Sequence, residues 1–338
     1  MSLARNVFAL IQAALLLAAS PVCAAGFQYG TAPDGDNPPL ELGIWYPSDA
    51  PTKPQPLGLF TQDVASYAAI SGQSLPLIVI SHGTGGGATS HYDTALALAD
   101  AGFVVVALTH TGDNYKDRAD SFTARNFIQR PRHISQVIDF MLNSWNGHDH
   151  IDPTRIGMFG HSAGGATTLI MLGGNPDFGL VAIYCRKHPE AWDCAQVKAH
   201  TGGDLSLSAN DSEPPDWHHD PRIKAAVIAA PAIGYTFTKD GLAAVTALIQ
   251  LWRAEDDKIT ANEWNADIVR AYLPKPPEDH LVANAGHFDF LAPCSDALEK
   301  VAHAICASAP GFDRTAFHTD FNKALVAFFK AQLGSSSP

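Results

Sequence analysis

Hydrophobic positions along the chain recur in two alternating rhythms. Leu40 to Tyr46, Leu75 to Ser81 (LPLIVIS) and Phe103 to Leu108 (FVVVAL) are short apolar runs, and the last two are almost unbroken. Unbroken runs of this length are expected of strands buried on both faces of a sheet. Ile156 to Phe159, Ile223 to Ala230, Ala247 to Trp252 and Leu281 to Ala283 continue the series. Between them lie helical spacings. His91 to Ala101 stops at Gly102, and Phe317 to Leu333 closes the chain. Pro131 to Trp145 carries Ile134, Val137, Ile138, Met141 and Leu142 on one side, with proline at the favoured first turn. Pro47 to Pro56 reads as a proline-rich connection. Strand and helix in alternation predict an α/β fold, a mostly parallel sheet covered on both faces.

Two segments depart from this rhythm. Gly173 to Pro221 is polar, contains Pro and Gly, and reads as an insertion over the carboxyl edge of the sheet, a lid at about 173–221. Trp192 and Trp217 within it offer apolar surface to a substrate or anchor the lid itself. At the other departure, Arg5 precedes the apolar run Val7 to Ala19 and then Ser20-Pro21-Val22-Cys23-Ala24. A basic start, a short apolar core and a small-residue end predict a signal peptide over 1–24, cleaved after Ala24 or Ala25, leaving a single domain over 25–338. The expected location is secreted or periplasmic. No other stretch is apolar and long enough to cross a bilayer, so no membrane insertion is expected.

Composition narrows the partners. The 338 residues carry 34 acidic and 22 basic side chains, a formal net charge of −12. That balance repels phosphate backbones, so nucleic acid is not an expected partner. Beyond the leader four cysteines remain, an even number in an exported chain, and spacing pairs them as Cys185–Cys194 and Cys294–Cys306. No C-x-x-C occurs, which argues against a zinc ribbon or a redox pair.

The chemistry centres on "IGMFGHSAGG", residues 156–165, where a strand gives way to a helix. Gly160-His161-Ser162-Ala163-Gly164 matches G-x-S-x-G, a turn so sharp that the serine adopts a strained backbone and its near neighbours must be small. A serine hydroxyl needs a base, and the base an orienting acid, here in the chain order serine, acid, histidine. His287 in "NAGHFDF" follows a short strand and sits in a glycine-containing loop, which makes it the base. His280, His303 and His318 also follow the candidate acids; the last two fall in or beside helical stretches. His161, next to the serine, is expected to point away. "LWRAEDDKIT" ends a strand with Glu255, Asp256 and Asp257; Asp257 is preferred as the acid and Asp256 is the runner-up. Glycines in "ISHGTGGG" let a loop approach closely, so the N–H groups of Thr84 and Ala163 are the expected oxyanion donors. No G-K-[ST] follows, so these glycines do not read as a nucleotide cradle.

Other clusters read as loops. His148, Asp149, His150 and Asp152 in "GHDHID", and His218, His219 and Asp220 in "WHHD", have ligand-type residues but no metal is predicted there. His110 in "THTGDN" either lines the pocket or packs.

"SHGTGGGATSHYDTALALADAGFVVVALTH", "GHSAGG" and "NAGHFDFLAPC" together resemble the α/β-hydrolase superfamily, in particular exported dienelactone-hydrolase-like proteins. The His-Gly loop and serine elbow are also similar to those of platelet-activating-factor acetylhydrolases. The resemblance runs from about Leu40 to Leu333, apart from the 173–221 insertion. It implies an eight-stranded, mostly parallel sheet and hydrolysis of carboxylic esters by Ser162, His287 and Asp257. Dienelactone hydrolases carry cysteine where this chain has Ser162, so ordinary esters are the expected small-molecule substrates. No cofactor is implied. The alternatives on the same three residues are a lipase or phospholipase, a polyester hydrolase or a peptidase. A non-catalytic binding protein would instead have lost one of the three.

Overall fold

The computed structural model describes residues 24–201 and 216–334, so the leader expected over 1–24 lies outside the described residues save Ala24. The chain opens with β1 (Ala24–Asp34), β2 (Asn37–Ser48), β3 (Lys53–Leu57), β4 (Phe60–Ser66) and β5 (Leu75–Ser81). α1 (Tyr92–Asp100), β6 (Val104–Thr109), α2 (Ala124–Asn143), β7 (Ile151–His161) and α3 (Ala163–Met171) follow. Then come α4 (Gly179–Lys187), α5 (Trp192–Thr201), β8 (Ile223–Ala229), β9 (Leu248–Ala254), α6 (Ala266–Tyr272), β10 (Glu278–Val282), α7 (Asp296–Cys306) and α8 (Arg314–Leu333).

The strands form one ten-stranded sheet in the order β10-β9-β8-β7-β5-β6-β2-β1-β4-β3. The six strands from β10 to β6 are parallel; β2 is antiparallel to β6 and to β1. The seven apolar runs correspond to β2 and β5 to β10, and the eight strands implied by the resemblance are corrected to ten by β1, which pairs with β2, and by the hairpin of β3 and β4 beside it. β3 hid in the proline-rich connection: its Pro54 and Pro56 cannot donate to a ladder, and the strand sits at the sheet edge where no donor is required.

Side-chain alternation along the central strands feeds two cores. Ile78 and Ile80 of β5 pack with Leu98 of α1 and Phe321, Leu325 and Phe329 of α8. Leu77 and Val79 face the other way, onto Ile134, Val137, Ile138 and Met141 of α2. All of these are at most 2% exposed, and each such aliphatic side chain contributes roughly 1.5–3 kcal/mol relative to exposure. The central runs are unbroken because both faces are covered.

α2 begins at Ala124 rather than at Pro131. Thr123 caps it, its hydroxyl accepting the Asn126 N–H, and Pro131 lies in the helix interior at the loss of one backbone bond. The extra turns carry Phe127 and Arg130, both buried. The 173–221 segment, read from the sequence as a polar insertion, contains α4 and α5, tied by the Cys185–Cys194 disulfide; its residues 202–215 lie outside the described ones. Cys294 and Cys306 form the second disulfide, at the two ends of α7.

Candidate active site

Ser162 stands between β7 and α3 with φ 55° and ψ −117°, a left-handed backbone for a non-glycine residue. The glycines around it are steric requirements. A Cβ on Gly160 would meet the Gly164 carbonyl oxygen at 2.2 Å, and one on Gly164 would meet the Ser81 carbonyl oxygen at 1.9 Å. The strain is held by the Ser162 N–H donating to the Ala229 carbonyl at 3.0 Å and the Ser162 carbonyl accepting from Ala232 at 3.0 Å.

His287 opens a short 3-10 turn, His287–Phe290, in the loop after β10. Its Nε2 lies 3.0 Å from Ser162 Oγ and its Nδ1 2.8 Å from Asp257 Oδ2. Asp257 follows β9, and its Oδ1 accepts the backbone N–H groups of Ile259 (2.9 Å) and Thr260 (2.7 Å). Burial works to raise the Asp257 pKa, but the adjacent His287 and these N–H groups outweigh it and hold the carboxyl below its ordinary range. Asp256, the runner-up, points elsewhere: its carboxylate is 53% exposed and 3.8 Å from Lys258 Nζ.

The bonds fix the tautomer. With Asp257 accepting at Nδ1, the proton sits there and Nε2 is free to accept from the serine hydroxyl. Thr260 was not singled out from the sequence. Its hydroxyl donates to Asp257 Oδ2 at 3.0 Å and lies 3.1 Å from His287 Nδ1. The Asp-x-x-Thr spacing of a carboxylate bonding its own following backbone is the signal that marks it.

His161 does not face the serine hydroxyl. Its ring packs against that of His287 (centroids 4.8 Å apart), and its Nε2–H donates to the His287 carbonyl at 3.2 Å. Burial and the neighbouring histidines hold its pKa well below the ordinary value, so it stays neutral. His110 is fully buried, hydrogen-bonded to Ser81 Oγ at 2.9 Å, and packs beneath the sheet edge. His280 stacks on Trp252, His303 pairs with Glu299 and His318 with Asp93, so none of the three meets Ser162.

Ser162, His287, Thr84 and Gly83 line a cavity of about 780 Å³. Phe60, Phe122, Phe127, Trp192, Ile233 and Leu298 are among its apolar walls. α4 and α5 contribute Val181, Trp192, Asp193 and Val197, and α7 contributes Leu298, Val301, Ala302 and Ile305. Trp217 packs instead on Phe178, with centroids 5.3 Å apart. The Thr84 N–H has no hydrogen-bond partner among the described residues, and Ala163 opens α3, where backbone N–H groups have no helical partner. Such an arrangement can take a proton from a hydroxyl and hold an oxyanion beside it.

In the other histidine clusters two of the carboxylates are committed to arginines, while the exposed Asp149 lies 3.1 Å from His148 Nε2. Asp152 pairs with Arg155 at 2.8 Å and Asp220 with Arg222. No helix among the described residues is long and apolar enough to cross a membrane.

Residues 64–202 match the Dienelactone hydrolase family, a stretch that holds the His-Gly loop and Ser162 and ends before Asp257 and His287. The chain is also similar to a Bos taurus platelet-activating factor acetylhydrolase, 27% identical over an alignment of length 161 that takes in 33% of this chain and 36% of the bovine protein. The large, mostly parallel sheet with helices on both faces is consistent with an α/β-hydrolase fold, and within it residues 64–202 are similar to the Dienelactone hydrolase family.

Proposed function

We propose that the protein hydrolyses carboxylic esters through an acyl-enzyme formed on Ser162. The observation that carries this reading is the line of hydrogen bonds from Ser162 Oγ to His287 Nε2 (3.0 Å) and from His287 Nδ1 to Asp257 Oδ2 (2.8 Å) at the wall of an apolar cavity. His287 takes the hydroxyl proton as Oγ attacks the ester carbonyl, and the Thr84 and Ala163 N–H groups hold the oxygen as it gains charge. Collapse expels the alcohol, which receives the proton from His287. Water then enters, His287 takes its proton, and the same steps release the carboxylic acid and restore Ser162. Asp257 keeps the imidazole in the working tautomer and offsets the charge it gains.

The cavity supports substrates with apolar groups larger than acetyl, since about 780 Å³ is within the range that encloses a drug-sized ligand. Walls from both α4 and α5 support the lid role proposed for the 173–221 segment. Two disulfides fit an oxidising compartment, and we read residues 1–24 as the export signal that delivers the chain there.

The test is hydrolysis of p-nitrophenyl esters from acetate to palmitate by the wild type and Ser162→Ala. Activity with a preference beyond acetate, abolished in the variant, supports the reading; equal rates in the two proteins overturn it. Amide, phospholipid and polyester substrates in the same assay separate the ester reading from a peptidase, a phospholipase and a polyester hydrolase.

A further inference from the structure

Beneath the His82–Gly87 loop lies a charged pair that the chemistry above leaves unused. Arg130 of α2 and Asp113, in the loop after β6, have fully buried side chains with Arg130 Nη2 3.1 Å from Asp113 Oδ2. Taking both charges out of water costs about what their attraction returns, so stability is a weak reason for such a pair. Its contacts point elsewhere. Arg130 Nη1 donates to the His82 carbonyl at 2.8 Å, and Asp113 Oδ1 accepts the Gly85 N–H at 3.2 Å. These two anchors bracket Thr84.

A third anchor lies between them. His82 Nε2 accepts the His110 N–H at 3.1 Å, which leaves the ring proton on Nδ1, and Nδ1–H donates to the Gly83 carbonyl at 2.6 Å. The Gly83 carbonyl and the Thr84 N–H belong to one planar trans peptide and point in opposite directions, so holding the first aims the second. Asp113 is itself held, accepting from Ser121 Oγ at 2.6 Å and Asn126 Nδ2 at 2.8 Å.

We propose that Arg130 and Asp113 are positioning residues, a buried clamp on the His82–Gly85 backbone that directs the Thr84 N–H toward the oxygen of the tetrahedral intermediate. The proposal rests on the Ser162 ester-hydrolase reading. A donor matters most when the oxygen carries charge, so loosening the clamp costs kcat and leaves KM nearly unchanged.

Two variants of the full chain test it. Arg130→Lys keeps a positive charge beside Asp113 but lacks the fork that also reaches the His82 carbonyl. Arg130→Met combined with Asp113→Asn replaces the pair by uncharged side chains and leaves no lone buried charge. On p-nitrophenyl butyrate kcat should fall about 10- to 100-fold in each, the cost of a misaimed group, with KM within twofold. The affinity for a trifluoromethyl ketone, which forms a tetrahedral adduct on serine, should fall in parallel, while a non-reactive ether analogue of the ester binds as before. A folded variant with wild-type kcat and wild-type ketone affinity overturns the proposal. Failure of both variants to fold also overturns it, by making the pair a folding element. Ser162→Ala separates the layers: if that variant still hydrolyses the ester, the underlying reading fails; if it is silent while the clamp variants keep full kcat, only this inference fails.

Discussion

His287 Nδ1 stands 2.8 Å from Asp257 Oδ2, while Asp256, one residue earlier, turns its carboxylate to solvent beside Lys258. Adjacent acids on one loop are thereby separated by geometry alone. Asp257→Asn should lower kcat about 10⁴-fold, the size of the effect when the orienting acid of such a triad becomes an amide. Asp256→Asn should stay within twofold of wild type. Steady-state kinetics on one p-nitrophenyl ester decides; a large loss in the Asp256 variant would reverse the assignment.

The elbow glycines give a stability prediction. A Cβ on Gly164 would sit 1.9 Å from the Ser81 carbonyl oxygen, where no flexible side chain can yield. Gly164→Ala therefore has to shift β5 or the start of α3, at a cost of several kcal/mol by the standards of core overpacking and strain. Thermal unfolding should show a clearly lowered Tm or no folded protein; an unchanged Tm would mean the backbone has slack there.

Buried histidines set the acid limit. Burial lowers His82 to about 3 and His91 and His133 to about 4, and holds His110 and His161 well below the ordinary value. In the unfolded chain each takes up a proton near pH 6.5, so below that pH the unfolded state binds more protons. Stability is thus fully present above about 6.5 and declines as pH falls toward the folded values, by up to about 1.4 kcal/mol per pH unit for each histidine. Asp257 and Asp113 contribute in the same direction at still lower pH, since their carboxyls are held below the ordinary range. A Tm profile flat from pH 8 to 7 and falling steeply between about 6 and 4 is expected; one unchanged down to pH 4 would contradict this.

The second disulfide holds a pocket wall. α7 has no fully buried residue, yet Leu298, Val301 and Ile305 line the cavity, and Cys294 and Cys306 join the helix ends. Replacing both with serine should cost about 2–3 kcal/mol, from the loop the bridge closes. KM for long-chain esters should rise more than for acetate. Equal KM values across chain lengths would show that α7 does not shape the pocket.

Much of this was legible in the sequence, for identifiable reasons. The runs at Leu75–Ser81 and Ile156–Phe159 announce strands because both faces are buried, and the Gly160–Gly164 spacing follows from the steric limits at the elbow. Both cysteine pairs bridge short sequence separations, 9 and 12 residues, as their spacing suggested. What escaped had weaker local signals. β3 carries two prolines at a sheet edge, and α4 and α5 owe their place to a disulfide and to packing on the pocket. Pro131 suggested a helix start, whereas Thr123 is the cap. Arg130, Asp113 and Thr260 escaped because their roles come from residues brought together by the fold, such as His82 with Arg130 across 48 positions.

The most direct test of the central claim is to find where a serine-directed phosphonate ester attaches. The protein is treated with p-nitrophenyl-leaving phosphonate and its peptides are mapped by mass spectrometry, beside Ser162→Ala and His287→Ala. The account predicts one adduct, on Ser162, formed as ester hydrolysis is lost, with little labelling in the His287 variant and none at that site in the Ser162 variant. Full inhibition with the label on another residue, or ester turnover that persists with Ser162 fully modified, would contradict it.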